Sequence, residues 1–499
     1  MNDIFLSITL VTICALGYYF SWRSLSQGKI LLSLLLLLLC GLALRAYVST
    51  DLYLHDWDER YHALVAKNLV HHPLIPTLYD KPILPYLPTN WTGNHIWLSK
   101  PPIPLWLMSL SIYIGGNNEI SIRIPSLIAS ILSIVLTFKI AKALFDYRIA
   151  WLAAFLHSIH GMLIELASGR ISSDHVETIF IFLVELAIWL ALLSTIKTKK
   201  HNLYLVLCGL TIGLAFLSKF LPAFVVLPIW LSFALQSKSV SSLRIFAQFC
   251  VLTCIALAVS LSWICYTHFA FPAESNELIA LLTRPLNSTV QKHGGSAWYY
   301  VDCIRMIFGE LVYLPLLWLL YSAYKAFRDS CYLPFCLWIL IPLIVFSIAD
   351  TKRETYLLIA APAIFIVTAI FWFWLLAYSI DKKHRWLYNL VLLLLIALPL
   401  RYTIERVKPF QQHNRNTEWA IALRKLHKQN ITKGVLFNYD RPIEAMFYTN
   451  LIAYETLPQP NIIITLLEQG YAVLINDNEK LPQSIRAIKG VIVRKINSL

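Results

Sequence analysis

Charged residues are scarce in this chain of 499 residues. They make up 14% of the sequence, whereas an ordinary soluble domain carries about 25%. Hydrophobic residues make up 58%, and the mean hydropathy is +0.62. Apolar runs long enough to cross a bilayer recur along the chain. The scarcity of charge excludes a soluble globular protein and indicates a polytopic membrane protein.

Acidic residues are fewer than basic ones. The chain has 28 Asp and Glu against 42 Lys and Arg, a formal net charge of +14. Because the basic residues cluster in short loops between apolar runs, they favour a membrane surface over nucleic acid as partner. A lipid that carries phosphate would also suit this excess of positive charge.

Cysteine is absent from both long polar regions, residues 50–120 and the tail after Arg401. The nine cysteines fall almost entirely in apolar runs, so no disulfide framework is expected. The histidines His55, His71 and His72 lack the spacing of metal ligands. The tail also lacks a Gly-rich phosphate loop, so we predict neither a metal nor another cofactor.

The apolar runs predict twelve spans. The N-terminal run, Ile4 to Phe20, lacks the basic flank and cleavage site of a signal peptide, so we interpret it as a retained span. The short, proline-led segment 101–116 is predicted to be an interfacial or re-entrant helix. The spans are predicted at roughly 3–21, 30–48, 121–144, 149–168, 175–195, 203–218, 220–236, 246–267, 299–325, 331–349, 355–379 and 386–401.

Basic residues occur in alternate loops, which the positive-inside rule makes cytoplasmic. These loops lie around Arg23, Lys139, Lys199, Arg244, Lys325 and Lys383. With an external N-terminus, the remaining loops and the tail share the outer face. They are residues 50–120, 169–174, 218–220, 268–298, 350–354 and 402–499.

The chain changes character after Arg401. Runs rich in β-forming residues at 434–438, 471–475 and 490–493 alternate with helix-like stretches at 418–429 and 460–469. This alternation predicts a small α/β domain. We therefore divide the chain into a transmembrane domain, residues 1–401 with the external loop 50–120, and a soluble domain, residues 402–499.

An acidic pair opens the first polar loop. Residues 58–69 show helical spacing of apolar and aromatic positions, which predicts an amphipathic helix that begins at Asp58. Acidic groups are favoured in a first helical turn, so simple capping is the alternative to a catalytic role. Since adjacent helical residues point about 100° apart, Asp58 and Glu59 are not both expected to face one reaction centre.

Several short motifs follow this pair. Over about residues 50–365 the set resembles the membrane-embedded C-type glycosyltransferases, in particular the bacterial branch related to aminoarabinose transferases and protein O-mannosyltransferases. The motifs are Lys100-Pro101-Pro102, Arg123-Ile124-Pro125-Ser126-Leu127, Gly169-Arg170-Ile171-Ser172-Ser173-Asp174, Gly213 to Lys219, His293 with Trp298-Tyr299-Tyr300, and Lys352-Arg353-Glu354-Thr355-Tyr356.

The resemblance implies a helical GT-C fold of about 12–13 spans with a polyprenyl (undecaprenyl) phosphate sugar as donor. It also implies inverting, metal-independent transfer on the extracytoplasmic face of a bacterial inner membrane, with Asp58 as the catalytic carboxylate. We expect a monomer among membrane lipids. Two features depart from the aminoarabinose branch: Ser99 stands where that branch has an acid, and an additional span precedes the first external loop. The acceptor is therefore not carried over.

The chemistry of transfer supports the same roles. A carboxylate takes the proton of the acceptor hydroxyl as the bond forms, and fixed cations meet the charge that grows on the leaving phosphate. The alternative for each lysine is a side chain that snorkels to the headgroups. The candidate cations, in order, are Lys352 and Arg353, then Lys219 and Lys100, then Arg170, Lys292 and His293.

Asp174 is the second candidate carboxylate, expected to orient the acceptor or to assist Asp58. Its alternative is an intrahelical ion pair with Arg170, four residues earlier. Glu177, one turn further on, is placed in the same cleft. We expect Asp58 and the cations to meet in one cavity at the non-cytosolic boundary.

Two other classes of protein are considered. A secondary transporter or lipid flippase would place acidic residues near the bilayer centre and often has matching halves, whereas the polar residues here gather at one face. A membrane scaffold with a sensory tail is the third option. The acceptor stays open among lipid A, a protein Ser or Thr, and a cell-envelope glycan.

Overall fold

The computed structural model describes residues 2–196, 198–236, 240–289, 293–325, 331–478 and 481–496. Its internal contacts divide the chain into two compact units. The first unit consists of Met1–Ser49, Lys100–Pro104 and Ser126–Gln412, and the second of Thr50–Ser99, Leu105–Pro125 and His413–Leu499. This division differs from the predicted boundary at residue 401, because most of the first polar loop belongs with the tail.

Helices dominate the chain up to residue 407. They are α1 (Asn2–Ser26), α2 (Ile30–Val48), α3 (Asp58–Leu69), α4 (Pro102–Gly115), α5 (Glu119–Leu144), α6 (Tyr147–Ile159), α7 (Gly161–Ala167), α8 (Asp174–Ile196), α9 (His201–Lys219), α10 (Val226–Leu235), α11 (Ser242–Ala270), α12 (Pro272–Asn287), α13 (Tyr299–Phe308), α14 (Tyr313–Lys325), α15 (Leu333–Ile348), α16 (Ala361–Tyr378) and α17 (Arg385–Val407).

All twelve predicted spans fall on helical segments, but they differ in length and straightness. Among the described residues, eight helices are long and apolar enough to cross a membrane, or up to ten if each bent pair counts as one span. Segments 220–236 and 331–349 form shorter apolar helices, as does α4 in the predicted re-entrant segment. The predicted polytopic helical fold is thus observed, with fewer full-length spans than the twelve expected.

Two predicted spans are broken rather than straight. The pair α6 and α7 bends by 58°, and the pair α13 and α14 bends by 115°. His160 ends α6 with an extended backbone and begins α7 as its N-cap. Gly309 ends α13 with φ of +99°, a conformation that glycine adopts without steric cost. Hydrophobicity alone does not reveal such breaks, because both halves are apolar.

Helix α8 lies in the interior of the first unit. In its most apolar stretch 72% of residues are buried, against 17% in both α1 and α17. Polar groups on α8 therefore need protein partners. Glu185, near the middle of the helix, accepts a hydrogen bond from Thr137 Oγ1 at 2.5 Å.

The second unit contains a four-stranded parallel sheet. The strands β1 (Gly434–Phe437), β2 (Ile452–Ala453), β3 (Ala472–Asn476) and β4 (Ile492–Arg494) are ordered β2-β1-β3-β4. The tail helices are α18 (Glu418–His427), α19 (Pro442–Tyr448), α20 (Pro460–Glu468) and α21 (Gln483–Arg486). The predicted α/β tail is confirmed, although β2, α19 and α21 were not anticipated.

The first polar loop and the tail share one core within the second unit. Tyr448 Oη accepts a hydrogen bond from Leu54 N at 3.1 Å, and Tyr79 Oη donates to Ala453 O at 3.1 Å. Side chains of α3, including Leu64 and Leu69, are buried in the same cluster as side chains of β1 and α19. The loop is therefore ordered by the tail, which its prolines and aromatics alone do not reveal.

Candidate functional site

The helix predicted at 58–69 is observed with the same bounds. Asp58 opens its first turn and is partly exposed, whereas Tyr61, His62, Val65 and Leu69 are buried. Ala63, Leu64 and Ala66 are buried as well. The helix is thus embedded on most sides rather than amphipathic, and Asp58 stands at its accessible end.

Glu59 occupies a different environment from Asp58, although the two are adjacent. Its side chain is fully buried and forms a bidentate ion pair with Arg123, with Nε–Oε1 at 2.8 Å and Nη2–Oε2 at 3.1 Å. The backbone N–H of His55 also donates to Glu59 Oε2 at 2.7 Å. Both carboxylate oxygens are therefore occupied, and we interpret Glu59 as structural rather than catalytic.

His55 joins this buried group. Its Nδ1 lies 2.5 Å from Glu59 Oε2, and its Nε2 lies 3.3 Å from Asp51 Oδ2. Burial lowers the pKa of His55, but the neighbouring carboxylates of Glu59 and Asp51 outweigh burial, so the pKa is raised overall. A protonated imidazole donates from both nitrogens, which matches the two acceptors.

Lys219 is the centre of a basic group in the first unit. It ends α9, and its ammonium forms an ion pair with the buried carboxylate of Glu177 on α8. The ring of Tyr356 lies 4.5 Å from its Nζ, a distance at which the ring face attracts a cation. Lys100 and Arg353 are close enough to act on Lys219 electrostatically.

The carboxylate of Glu177 is only partly satisfied. Its Oε2 contacts Lys219, whereas its Oε1 is buried and has no hydrogen-bond partner among the described residues. A buried acceptor without a partner is costly. The Glu177–Lys219 pair therefore has one unused hydrogen-bond acceptor and lies in a local excess of positive charge from Lys219, Lys100 and Arg353.

The turn that carries Lys352 and Arg353 is held by the segment before α13 and by Tyr300 in the first turn of that helix. Lys352 N donates to His293 O at 2.8 Å, and Arg353 N donates to Tyr300 Oη at 3.1 Å. Thr351 Oγ1 donates to Ser288 O at 2.8 Å. The predicted outer loops 268–298 and 350–354 are thus in contact.

The ammonium group of Lys352 is bound by the protein rather than extended towards headgroups. Its side chain is buried, and Nζ donates to Ala349 O at 2.5 Å. The side chain of His293 is exposed. The predicted cation Lys292 lies outside the described residues.

Asp174 is fully buried at the start of α8, where Ser173 and Asp174 have φ of +71° and +24°. Both angles are uncommon for residues other than glycine. Arg170 lies before the first residue of α8. Arg170 and Asp174 are therefore not on one helix, as the alternative of an intrahelical ion pair required. Ser126 Oγ, from the Arg-Ile-Pro-Ser motif, lies 2.8 Å from His175 Nδ1, next to Asp174.

Arg406, near the end of α17, connects α7 to the predicted outer loop 350–354, and neither contact was predicted from the sequence. Its guanidinium contacts Glu165 at 2.9 Å and Glu354 at 3.5 Å. Glu354 follows Arg353 directly, and Glu165 O accepts the backbone N–H of Arg170 at 3.0 Å. The contact of the Tyr356 ring with Lys219 was likewise not predicted. The sequence carries no signal for either contact, because their partners are distant along the chain.

The candidate residues fall in the two compact units. Asp58 and Glu59 belong to the second unit, and Lys100, Arg170, Asp174, Lys219, His293, Lys352 and Arg353 belong to the first. Within the described residues, no group of three or more His, Cys, Asp or Glu side chains is placed to hold a metal ion.

Comparisons of sequence identify several related proteins. The family model described as dolichyl-phosphate-mannose-protein mannosyltransferase matches residues 99–264. A Pseudomonas aeruginosa (strain UCBPP-PA14) protein named undecaprenyl phosphate-alpha-4-amino-4-deoxy-L-arabinose arabinosyl transferase is 28% identical over 341 residues, 65% of this chain and 60% of that protein. A Photorhabdus laumondii protein of the same name is 26% identical over 274 residues, 52% of this chain and 47% of that protein. The matches therefore span less than two thirds of these curated relatives.

Comparisons of structure extend over more of the chain. The crystal structure of ArnT from Cupriavidus metallidurans bound to undecaprenyl phosphate has a TM-score of 0.62 at 14% identity and covers 92% of this chain and 89% of that chain. The Archaeoglobus fulgidus oligosaccharyltransferase in the apo form has a TM-score of 0.56 at 16% identity, with coverage of 84% and 64%. These similarities show a shared fold and confirm the predicted fold class.

Proposed function

Since sequence and fold make this chain a relative of the C-type membrane glycosyltransferases of the aminoarabinose transferase and protein O-mannosyltransferase type, we propose that it is a glycosyltransferase. It moves a sugar from a polyprenyl phosphate to an acceptor outside the cytoplasm, in a bacterial inner membrane. The observation that carries the proposal is the environment of Lys219, whose ammonium group contacts the buried carboxylate of Glu177 and lies over the ring of Tyr356.

Positive charge of this kind suits the phosphate of the donor. An arginine grips phosphate with two parallel donors, whereas a lysine acts as a point charge. Lys219, Lys100 and Arg353 are proposed to hold the phosphate. Lys352 lies in the same turn as Arg353 and is proposed to add to the positive charge there. Arg170 and His293 are proposed to contribute further positive charge to the binding of the phosphate. The cations stabilise the charge that appears on the phosphate when the bond to the sugar breaks.

Asp58 is proposed as the general base. The acceptor hydroxyl oxygen attacks the anomeric carbon, and its proton passes to the Asp58 carboxylate. The bond between the anomeric carbon and the phosphate oxygen breaks on the opposite face, so the anomeric configuration inverts. The electron pair leaves with the polyprenyl phosphate. Asp174, which is buried at the start of α8, is proposed to assist by orienting the acceptor.

The proposal predicts a large loss of transfer when Asp58 is neutralised. Asp58→Asn keeps the shape of the side chain but cannot accept the proton, so the rate should fall by about 10²- to 10⁴-fold. The first donor to use is undecaprenyl phosphate 4-amino-4-deoxy-L-arabinose, because the relatives are named for it, with lipid A as first acceptor. Product is measured by mass spectrometry in reconstituted vesicles.

The matched control is Asp56→Asn. Asp56 lies two residues away and is exposed, where it pairs with Arg441, and this variant should retain transfer. Full activity in Asp58→Asn would contradict the assignment of the base. Metal independence stays a prediction, checked by the same assay with EDTA.

A transporter or flippase would move lipid across the vesicle without cleaving it. The same vesicles separate the two classes, since transfer needs no ion gradient and releases free polyprenyl phosphate. Translocation of intact donor with no cleavage would favour the alternative.

A further inference from the structure

Arg123 makes an unusually complete set of hydrogen bonds for a buried cation. Besides its two bonds to Glu59, its Nη1 donates to Asp51 O at 2.5 Å and its Nη2 to Tyr53 O at 2.8 Å. The side chain has no exposed surface. One guanidinium thereby ties the chain before α3 to the first turn of that helix.

His55 closes the arrangement from the other side. Its ring bridges Glu59 Oε2 and Asp51 Oδ2, and Asp51 Oδ1 lies 3.4 Å from Arg415 Nη1. We call Asp51, His55, Glu59 and Arg123 the α3 clamp. Every group in it belongs to the second unit.

Burying these charges is not a simple route to stability. An apolar group of similar volume often stabilises a protein as well as a buried ion pair does. What a saturated ionic network does supply is a single geometry, because any shift leaves a charge without its partner. That geometry fixes the residue next to Glu59 along the helix, which is Asp58.

We infer that Arg123, Glu59 and His55 are positioning residues, which hold Asp58 in the orientation that takes the acceptor proton. This inference rests on the proposed role of Asp58. A displacement of about 1 Å at a reacting group can lower the rate by about 100-fold. The clamp is therefore expected to affect kcat and to leave the KM for the donor unchanged.

Arg123→Lys tests the geometry with the charge retained. A lysine cannot form the bidentate pair or reach both backbone carbonyls, so kcat should fall by about 10- to 100-fold at unchanged donor KM. The matched control is Arg486→Lys, an arginine of the same unit whose carboxylate partner, Asp477, is partly exposed. This control should keep kcat within twofold of the unmodified protein.

His55 adds a pH dependence with a defined sign. The groups that face it are Asp51, Glu59 and Arg123, with the ring of Tyr53 at its edge. Because its pKa is raised in the folded protein, the clamp is fully stabilised below the unfolded value of about 6.5. That stabilisation is lost as the pH rises through the folded pKa. The rate should therefore fall on the alkaline side, and His55→Gln should remove that fall.

The decisive experiment combines the transfer assay with amide hydrogen exchange of residues 51–62, corrected for the intrinsic effect of pH. Both are measured on the full-length protein in lipid nanodiscs between pH 6 and 9, with undecaprenyl phosphate 4-amino-4-deoxy-L-arabinose as donor and lipid A as acceptor. Support for the clamp is faster exchange in Arg123→Lys, a lower kcat at constant donor KM, and loss of the alkaline fall in His55→Gln.

Other outcomes overturn the inference. They are a folded Arg123→Lys with kcat within twofold of the unmodified protein, or an alkaline fall that persists in His55→Gln. If Arg123→Lys does not fold, the pH profile of His55→Gln decides. If the unmodified protein transfers no sugar, the proposed function fails, and hydrogen exchange decides the clamp separately: unchanged exchange in both variants would overturn it.

Discussion

Two buried carboxylate–cation pairs in this protein differ in how completely they are satisfied. In the second unit, Glu59 and Arg123 are both fully buried, and their donors and acceptors are used by each other, by His55 and by backbone carbonyls. In the first unit, Glu177 contacts Lys219 through one oxygen while the other has no hydrogen-bond partner among the described residues.

The difference indicates two kinds of role. A saturated pair resists change, because a new partner would have to displace several good hydrogen bonds. In the first unit, one oxygen of Glu177 has no hydrogen-bond partner among the described residues, and the side chain of Lys219 is 20% exposed. Lys100 and Arg353 add positive charge near Lys219. The Glu177–Lys219 pair is therefore suited to exchange a carboxylate for the phosphate of a ligand, whereas the pair in the second unit is suited to hold a backbone in place.

Breaking the saturated pair should produce the largest effect on stability. Arg123→Met removes the guanidinium that binds both oxygens of the buried Glu59 and leaves His55 as its cationic partner, which should lower the free energy of unfolding by about 3–5 kcal/mol. The measurement is denaturant unfolding in detergent micelles, with Lys219→Met as the comparison. A loss no greater than that of Lys219→Met would show that the two pairs do not differ as described.

Removing the lysine of the unsaturated pair should act on ligand binding. A charge-assisted hydrogen bond contributes about 1.5–3 kcal/mol, so Lys219→Gln should raise the Kd for undecaprenyl phosphate by about 10- to 100-fold. The matched control is Lys382→Gln, because Lys382 also lies over a tyrosine ring, Tyr378, at 4.3 Å. An equal increase of the Kd in both variants would contradict the assignment of Lys219 to the phosphate site.

Neutralising the competing carboxylate should have the smallest effect and the opposite sign. Glu177→Gln keeps the volume but removes the negative charge that the phosphate must displace, so affinity for undecaprenyl phosphate should rise by about three- to tenfold. Binding is measured by the same titration, with Glu310→Gln as control, since Glu310 pairs with Arg401 near the surface. Weaker binding in Glu177→Gln would indicate that Glu177 supports the lysine instead of competing with the ligand.

Helices and strands were predicted well where the sequence pattern that indicates them lies within one continuous segment. The helix that begins at Asp58 and the strands that begin near Gly434 and Ala472 were placed within a residue or so of their observed bounds. The breaks at His160 and Gly309 were missed, because hydropathy averages over both halves of a bent span. Strand β2 was missed because two residues carry no periodic signal.

The candidate site was predicted as residue types on one side of the membrane, but not as contacts. Opposite roles for Asp58 and Glu59 were anticipated only in part, from the angle between adjacent helical positions. The contact that separates them is made by Arg123, 64 residues further along the chain. No local pattern encodes a partner at that distance.

Hydropathy and strand–helix alternation are local properties, so the order of amino acids alone indicates a helical membrane protein with an α/β tail. It also supplied the motifs that identify its relatives. The association of the first polar loop with the tail, and the burial and full hydrogen bonding of Glu59, became apparent only in the folded chain. Those outcomes depend on burial and on partners distant in sequence, which set the free energy of each charge.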